Sequence, residues 1–224
     1  MGIERGTGNL LTADVDALVN TVNTEGVMGK GIALQFKKAF PENFSSYERA
    51  CKAGEVVVGR VHVVRRLASP RFIINFPTKK HWRQPSKLEF VRDGLVDLVA
   101  TVRAHGIQSI AIPPLGCGNG GLEWSDVKPE IMRAFTGLPD VRVVLFEPSD
   151  GPTAAEVIDR RPTPPMTAGR AAVLSLMGRY LSTDYAYRLS LLELQKLAYF
   201  LQEFGEPLRL DYRVHLYGPY ADNL

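Results

Sequence analysis

A basic segment with an aromatic centre is the part of the sequence best equipped for chemistry. Residues 75–85 read NFPTKKHWRQP and directly follow an apolar run. Either of its lysines, Lys79 or Lys80, could act as a nucleophile. A free lysine has a pKa near ~10.4, so lowering it by ~3 units to expose the neutral amine corresponds to ~4 kcal/mol. Burial and the neighbouring like charge could supply that energy, whereas a protonated lysine could stabilise a departing base or a phosphate without it.

The same segment also has the residue types of a site that binds a single strand of nucleic acid. Cationic side chains can pair with phosphates while an aromatic ring stacks on a base. The ordinary alternative for such a run is a solvated basic loop. The predicted DNA contacts are Lys79, His81, Trp82 and Arg83.

Two glycine-rich segments have the composition of loops that bind phosphate. Residues 20–33 read NTVNTEGVMGKGIA, and residues 113–124 read PPLGCGNGGLEW, with four glycines among residues 116–121. Backbone amides of such loops, and those at the start of a following helix, favour an anion such as a diphosphate. An ordinary turn is the alternative for each. The first segment is neither a GxGxxG nor a Walker A motif, so it gives no support for a dinucleotide dehydrogenase or an ATPase.

The elements that must position these loops alternate between strands and helices up to about residue 147. Strands are predicted at residues 15–20, 71–76, 107–112 and 141–146, and one or two strands at residues 56–64. Helices are predicted at residues 31–40, 42–52, 88–105 and 125–135, the third with a Ser86–Glu89 capping box and the fourth capped by Ser125. This order predicts a mainly parallel sheet covered by helices on both faces. Ligands of such sheets bind beyond the carboxyl ends of the strands, so the loops after Asn20, Phe76 and Ile112 should converge.

A second pattern follows a segment that is rich in proline, aspartate and arginine. Residues 148–165 are predicted to be a linker. Beyond it, helices are predicted at residues 168–181 and 191–204, the latter with a Ser190–Glu193 capping box, and then a strand that enters a turn. We expect residues 166–224 to form the beginning of a second, mainly helical domain.

Composition sets broad limits on the protein class. The chain has 224 residues, of which 45% are hydrophobic and 23% charged, and a net charge of +3, which does not by itself indicate a nucleic-acid binder. The two cysteines, Cys51 and Cys117, form neither a disulfide framework nor a zinc-ligand set. We expect a cytoplasmic protein with no metal, no cofactor and no membrane segment, since no apolar run approaches the length of a span.

Taken together, the loops resemble those of the macrodomain family. The matching pieces are GTGNL, DALVNTVN, MGKGIALQFKKAFP and PLGCGNGGLEW, in that order within residues 1–147. The MGKGIA loop followed by FKK, and the TKK after a buried strand, resemble the branch that contains the terminal ADP-ribose glycohydrolase and the DarG antitoxins. The resemblance implies a three-layer α/β/α fold with a mixed, mostly parallel sheet.

The resemblance also implies a site for ADP-ribose and a catalytic lysine. A lysine of the TKK segment is catalytic in this branch, and it is carried over to Lys80, with Lys79 as the fallback. It would attack or stabilise the anomeric carbon of the bound ribose and so release the target base. The implied ADP-ribose contacts are Gly8, Asn9, Leu10, Asn20, Thr21, Val22, Asn23, Gly29, Lys30, Gly31, Ile32, Ala33, Thr78, Gly116, Cys117, Gly118, Asn119, Gly120 and Gly121.

Two positions depart from the family pattern. Many macrodomains carry an aspartate that holds the adenine amino group, and Asn9 stands there in this chain. The human member of the branch has a catalytic aspartate in its second glycine loop, where this chain has none and Glu123 is the nearest acid. Lys80 would then work with substrate phosphate or water alone.

The C-terminal residues resemble the start of a Panacea-type antitoxin domain, through LLELQKLAYFLQEFG and the later YGPY. A macrodomain joined to such a module is similar to the DarG antitoxins, which oppose DarT-type toxins that ADP-ribosylate DNA. The resemblance implies removal of ADP-ribose from a base, thymidine or another, in ADP-ribosylated single-stranded DNA, and binding of the cognate DarT-type toxin by the C-terminal domain. Two alternatives stay open, a non-catalytic ADP-ribose reader and a phosphatase acting on ADP-ribose phosphate esters.

Overall fold

In the computed structural model the chain forms two compact units, Met1–Arg161 and Pro162–Leu224. The structure describes residues 2–148, 158–160, 165–182 and 189–224. Most of the predicted linker, residues 148–165, therefore lies outside the described residues.

The described part of the first unit is a six-stranded sheet between layers of helices. The strands are β1 (Ile3–Arg5), β2 (Ala17–Val22), β3 (His62–Arg65), β4 (Phe72–Pro77), β5 (Ser109–Ile112) and β6 (Arg142–Leu145). The helices are α1 (Gly31–Ala39), α2 (Pro41–Lys52), α3 (Leu88–Ala104) and α4 (Trp124–Phe135), with a short 3-10 turn at Leu10–Thr12. The strand order is β1-β6-β5-β2-β4-β3, and among these strands β3 is the one that pairs antiparallel. The predicted mainly parallel α/β fold is confirmed.

Strand β2 explains why helices must cover both faces of the sheet. Its side chains alternate across the pleat, so Ala17 and Val19 join the cluster that contains Leu95 of α3, whereas Leu18 joins the cluster that contains Phe36 of α1. All six residues of β4 are buried. Continuous apolar runs of this kind are typical of strands covered on both sides.

Four local features of this unit differ from the prediction. Strand β1 was not predicted, and of residues 56–64, predicted as one or two strands, only His62–Val64 is extended, because a turn with Gly59 at φ +82° comes before it. Helix α3 begins at Leu88 with no side-chain cap, so the Ser86–Glu89 capping box is wrong. Ser125 lies inside α4, which begins at Trp124, and does not cap it.

The second unit contains α5 (Ala168–Leu181), α6 (Leu191–Glu203) and an antiparallel hairpin of β7 (Tyr212–His215) and β8 (Gly218–Ala221). The Ser190–Glu193 capping box is confirmed, since both of its reciprocal hydrogen bonds form. The buried amide of Gln195 joins α6 to β8 through two 2.9 Å hydrogen bonds with the backbone of Ala221. Across the described residues of both units, no helix combines the length and apolar character needed to cross a membrane.

Candidate active site

A cavity of about 730 Å³ lies at the carboxyl ends of the parallel strands. Segments that follow all five of these strands contribute to its wall, so the predicted convergence of the loops after β2, β4 and β5 is confirmed. The described residues that line it are Asn9, Leu10, Leu11, Thr21, Val22, Asn23, Val27, Gly29, Lys30, Gly31, Ile32, Ala33, Gln35, Thr78, Lys79, Trp82, Arg83, Pro113, Pro114, Gly116, Gly118, Asn119, Gly120, Phe146, Glu147 and Pro148.

The loop between β2 and α1 is shaped by its own asparagine. The Asn23 side chain accepts hydrogen bonds from the backbone N–H groups of Glu25 and Val27, and its Nδ2 donates to the Val27 carbonyl at 2.6 Å. The hydroxyl of Tyr47, a buried residue of α2, donates to the Asn23 carbonyl at 2.7 Å. This loop is thus held in place before any ligand arrives, and the Asn23 amide is a structural group as well as part of the wall.

The glycine loop after β5 packs too tightly for side chains at two positions. A Cβ at Gly120 would lie 2.3 Å from the Gly116 carbonyl oxygen and 2.3 Å from Ser86 Oγ. Gly116 itself has φ +74°, a conformation that side chains rarely adopt. The composition of this loop therefore follows from a close backbone turn that forms one side of the cavity.

Lys79 brings an amine into the cavity from the segment that follows β4. Its Nζ donates to the Asn119 carbonyl of the glycine loop at 2.8 Å. Burial lowers the pKa of this lysine below its ordinary value. The preceding residue, Thr78, is held by a 3.0 Å backbone hydrogen bond to the carbonyl of Val22.

Lys80, the residue to which the catalytic role was carried over, is not among the lining residues of the cavity, whereas the fallback, Lys79, is. The Lys80 side chain is exposed. Its carbonyl oxygen accepts two 3.0 Å hydrogen bonds, from the backbone N–H and from the hydroxyl of Thr24. Lys80 lies in a bend beyond the end of β4, so the regular alternation of side chains along that strand does not determine its direction.

The aromatic part of the segment stands at the rim of the cavity. Trp82 lines the wall yet is 43% exposed, and the Arg83 guanidinium lies 4.4 Å from the centre of its ring. His81 stacks on Trp82 at 5.6 Å and forms a 3.4 Å contact with the Glu25 carboxylate. Of the predicted DNA contacts, Lys79, Trp82 and Arg83 line the cavity and His81 does not.

Comparison with known proteins identifies the family of this site. Residues 19–131, about half of the chain, match the family model described as the Macro domain. The macrodomain of Mycobacterium tuberculosis DarG is 57% identical and superposes with a TM-score of 0.65, over 66% of this chain and all of that one. The chain belongs to the macrodomain family.

Two further relatives extend this comparison. A DNA ADP-ribosyl glycohydrolase of Thermus aquaticus is 52% identical over 219 residues, which are 97% of this chain and 60% of that protein. The chain thus spans less than two thirds of the length of this curated relative. The structure of Thermosipho africanus DarTG in complex with ADP-ribose is 31% identical with a TM-score of 0.62, over 70% of this chain and 44% of that one.

Most of the residues predicted to contact ADP-ribose line the macrodomain cavity, and four do not. These four are Gly8, Asn20, Cys117 and Gly121. The Asn20 amide is buried, and its Nδ2 donates to Asn75 Oδ1 on the neighbouring strand at 2.9 Å. Cys117 packs against the core of the macrodomain, and burial, with the charges of Glu123 and Asp126, raises its pKa to about 11, so it stays a thiol.

The segment that follows β6 belongs to the wall of the macrodomain cavity and was not among the predicted site residues. Phe146, Glu147 and Pro148 follow that strand and line the cavity, as do five others that were not predicted: Leu11, Val27, Gln35, Pro113 and Pro114. The rule that ligands bind beyond the carboxyl ends of parallel strands would have found residues 146–148, had it been applied to the last strand as well.

Charges inside the macrodomain cavity are mostly positive. Lys30, Lys79 and Arg83 line it, and Glu147 is the one carboxylate among the described lining residues. A 3.0 Å hydrogen bond from Lys128, with a further contribution from Arg5, lowers the pKa of Glu147, so it is ionised at neutral pH. The Asn9 Oδ1 atom accepts a 3.0 Å hydrogen bond from the Leu11 N–H and caps the 3-10 turn.

Proposed function

We propose that the protein is a DNA ADP-ribosyl glycohydrolase, which hydrolyses the bond between a DNA base and the ribose of ADP-ribose. The observation that carries the proposal is the Lys79 amine, hydrogen-bonded across the cavity to the second of two glycine-rich loops. In the reaction, the bond from the ribose C1 atom to the base nitrogen breaks. A water molecule supplies the hydroxyl that C1 gains and the proton that the base gains.

Binding of ADP-ribose is supported by the size and wall of the cavity. Its volume of about 730 Å³ falls within the range of small-molecule sites. Backbone N–H groups of the glycine loops and of the start of α1 suit a diphosphate, and Lys30 adds a positive charge. The complex of Thermosipho africanus DarTG with ADP-ribose supports the same ligand.

We assign Lys79 the role of a protonated amine that stabilises the departing base. Its Nζ already donates to the Asn119 carbonyl, an arrangement that suits an ammonium group. As the bond to C1 breaks, negative charge develops on the base, and a fixed positive charge beside it lowers the barrier. Covalent attack on C1 by the neutral amine is the alternative mechanism, and the pH dependence of turnover separates the two.

The choice of DNA as the modified target rests on the cavity rim and on the relatives. The exposed Trp82 ring next to Arg83 can stack on a neighbouring base while the guanidinium contacts phosphate. The Thermus aquaticus relative carries the name DNA ADP-ribosyl glycohydrolase. The proposed substrate is thymidine or another base in single-stranded DNA, and the proposed place of action is the cytoplasm.

The proposal extends to the division of labour along the chain. Residues 1–147 carry the hydrolase, residues 148–165 form a linker, and residues 166–224 belong to a domain that binds a DarT-type toxin. The relative of Thermosipho africanus described as a DNA ADP-ribosyl transferase-DNA ADP-ribosyl glycohydrolase fusion protein supports a pairing of the two activities. Co-purification of the chain with the toxin, and loss of that complex on removing residues 166–224, tests this part.

The decisive experiment offers the protein three substrates in parallel. These are an ADP-ribosylated single-stranded oligonucleotide, an ADP-ribosylated protein and a phosphate ester of ADP-ribose. We expect release of ADP-ribose from the oligonucleotide, with much slower release from the protein and no release of phosphate. Tight binding of ADP-ribose without any turnover would instead establish a reader, and phosphate release would establish a phosphatase.

A further inference from the structure

Ser86 connects the two sides of the cavity although it does not line the cavity. It is buried and lies in the connection between the lysine-bearing segment and α3. Its hydroxyl donates to Thr78 Oγ1 at 3.1 Å, and its backbone N–H donates to the Gly120 carbonyl at 2.8 Å. One residue therefore contacts the neighbour of Lys79 on one side and the glycine loop on the other.

The fit around Ser86 is close on the side of the glycine loop. A Cβ at Gly120 would lie 2.9 Å from Ser86 Cβ, and a Cβ at Gly116 would lie 3.0 Å from the same atom. Both glycines line the cavity. A small side chain at position 86 and glycine at the two facing positions are thus parts of one packing arrangement.

We propose that Ser86 is a positioning residue that sets the distance between the Lys79 amine and the glycine loop. The inference rests on the proposed hydrolase function. Ser86 fixes the Thr78 side chain through its hydroxyl, and Thr78 is the residue covalently joined to Lys79. It fixes the Gly120 carbonyl through its backbone, next to the Asn119 carbonyl that receives the Lys79 hydrogen bond. Ser86 therefore fixes the position of the Lys79 amine relative to the glycine loop that would hold the diphosphate.

The two contacts of Ser86 can be removed separately. Ser86→Ala deletes the hydroxyl but keeps the backbone N–H, so the Gly120 contact and the glycine loop stay in place. Thr78→Val removes the acceptor of the same hydrogen bond. Ser45→Ala serves as a matched control, since Ser45 is exposed on α2 and its hydroxyl donates to the Pro41 carbonyl of its own helix.

The experiment measures kcat on an ADP-ribosylated single-stranded oligonucleotide, the Kd for ADP-ribose and the thermal unfolding midpoint for every variant. We expect Ser86→Ala to lower kcat about tenfold, because small misplacements of a catalytic group are costly. Its Kd for ADP-ribose should stay within about twofold of the parent protein, since an interaction that acts only on the reaction step changes kcat and not binding. Ser45→Ala should keep the parent kcat.

A double-mutant cycle shows whether the hydrogen bond itself is responsible. The double variant Ser86→Ala/Thr78→Val should lose no more kcat than the worse of its single variants. Additive losses, or a parent-like kcat in Ser86→Ala, would overturn the inference, and so would equal losses in kcat and ADP-ribose affinity. A parent protein without turnover would instead refute the proposed function, so the two failures are distinguishable.

Discussion

The two sides of the segment Thr78–Arg83 differ in what they contact, although their residues belong to one short stretch of chain. The inner side presents Lys79, Trp82 and Arg83 to the cavity. On the outer side, the backbone carbonyl of the exposed Lys80 accepts a hydrogen bond from Thr24, and the His81 ring contacts the Glu25 carboxylate. Residue type does not separate the two sides, since each has a lysine and an aromatic ring. The two lysines therefore differ in position, since Lys79 lines the cavity and Lys80 does not.

The largest expected effect is the contrast between the two lysines. Lys79→Ala should lower kcat on ADP-ribosylated single-stranded DNA by about 10²–10³-fold, as expected for loss of a group that stabilises transition-state charge. Lys80→Ala should stay within about twofold, because its carbonyl, the group that holds the segment, is unchanged. Single-turnover release of ADP-ribose measures both. If Lys80→Ala were inactive and Lys79→Ala active, the distinction between the two sides would be wrong.

The pH dependence of turnover sharpens the same contrast by reporting the charge of Lys79. The protonated form exists below its pKa, so the proposed role predicts that kcat is level at lower pH and falls as pH rises. Because burial lowers that pKa, the fall should begin below the pH at which an ordinary lysine titrates. Lys79→Arg should show reduced activity without this fall, since arginine keeps its charge. A kcat that rises with pH would favour nucleophilic attack by the neutral amine.

Binding of unmodified single-stranded DNA compares the aromatic residues of the two sides. Trp82→Ala should weaken binding about tenfold through lost stacking, and Arg83→Ala should weaken it and reduce its dependence on salt. His81→Ala should cost about twofold at most, because this ring lies outside the cavity lining. Fluorescence anisotropy with a labelled oligonucleotide measures all three. A loss for His81→Ala as large as for Trp82→Ala would show that the outer side also contacts DNA.

The smallest expected effect is a loss of stability on removing the hydrogen bond between the Thr24 hydroxyl and the Lys80 carbonyl. Thr24→Val removes the hydroxyl that donates to the Lys80 carbonyl, and should lower the free energy of unfolding by about 1 kcal/mol. Thr24→Ser, which keeps the hydroxyl, should unfold like the parent protein. Urea unfolding of the two variants checks the expectation. Equal stability of all three proteins would mean that this hydrogen bond does not anchor the segment.

Two copies of one local motif show how far the sequence could predict the structure. Ser190–Glu193 and Ser86–Glu89 have the same spacing, and only the first forms a capping box. Ser190 is exposed just before α6, and its partners are the backbone N–H and the side chain of Glu193. Ser86 is buried, and its hydroxyl and N–H are taken by Thr78 and Gly120. The local rule failed where groups distant in sequence competed for the same atoms.

The sequence by itself determined the class of the fold and the loops that form the cavity. Alternating apolar strands and amphipathic helices allow few arrangements other than a parallel sheet with helices on both faces, and in that arrangement the loops after the strands must meet. Only the tertiary structure decided that Lys79 and not Lys80 faces the cavity, and that residues 146–148 complete its wall. The reason is that a side chain's direction at the end of a strand depends on hydrogen bonds to distant residues, here Thr24, Val22 and Asn119, which no local pattern encodes.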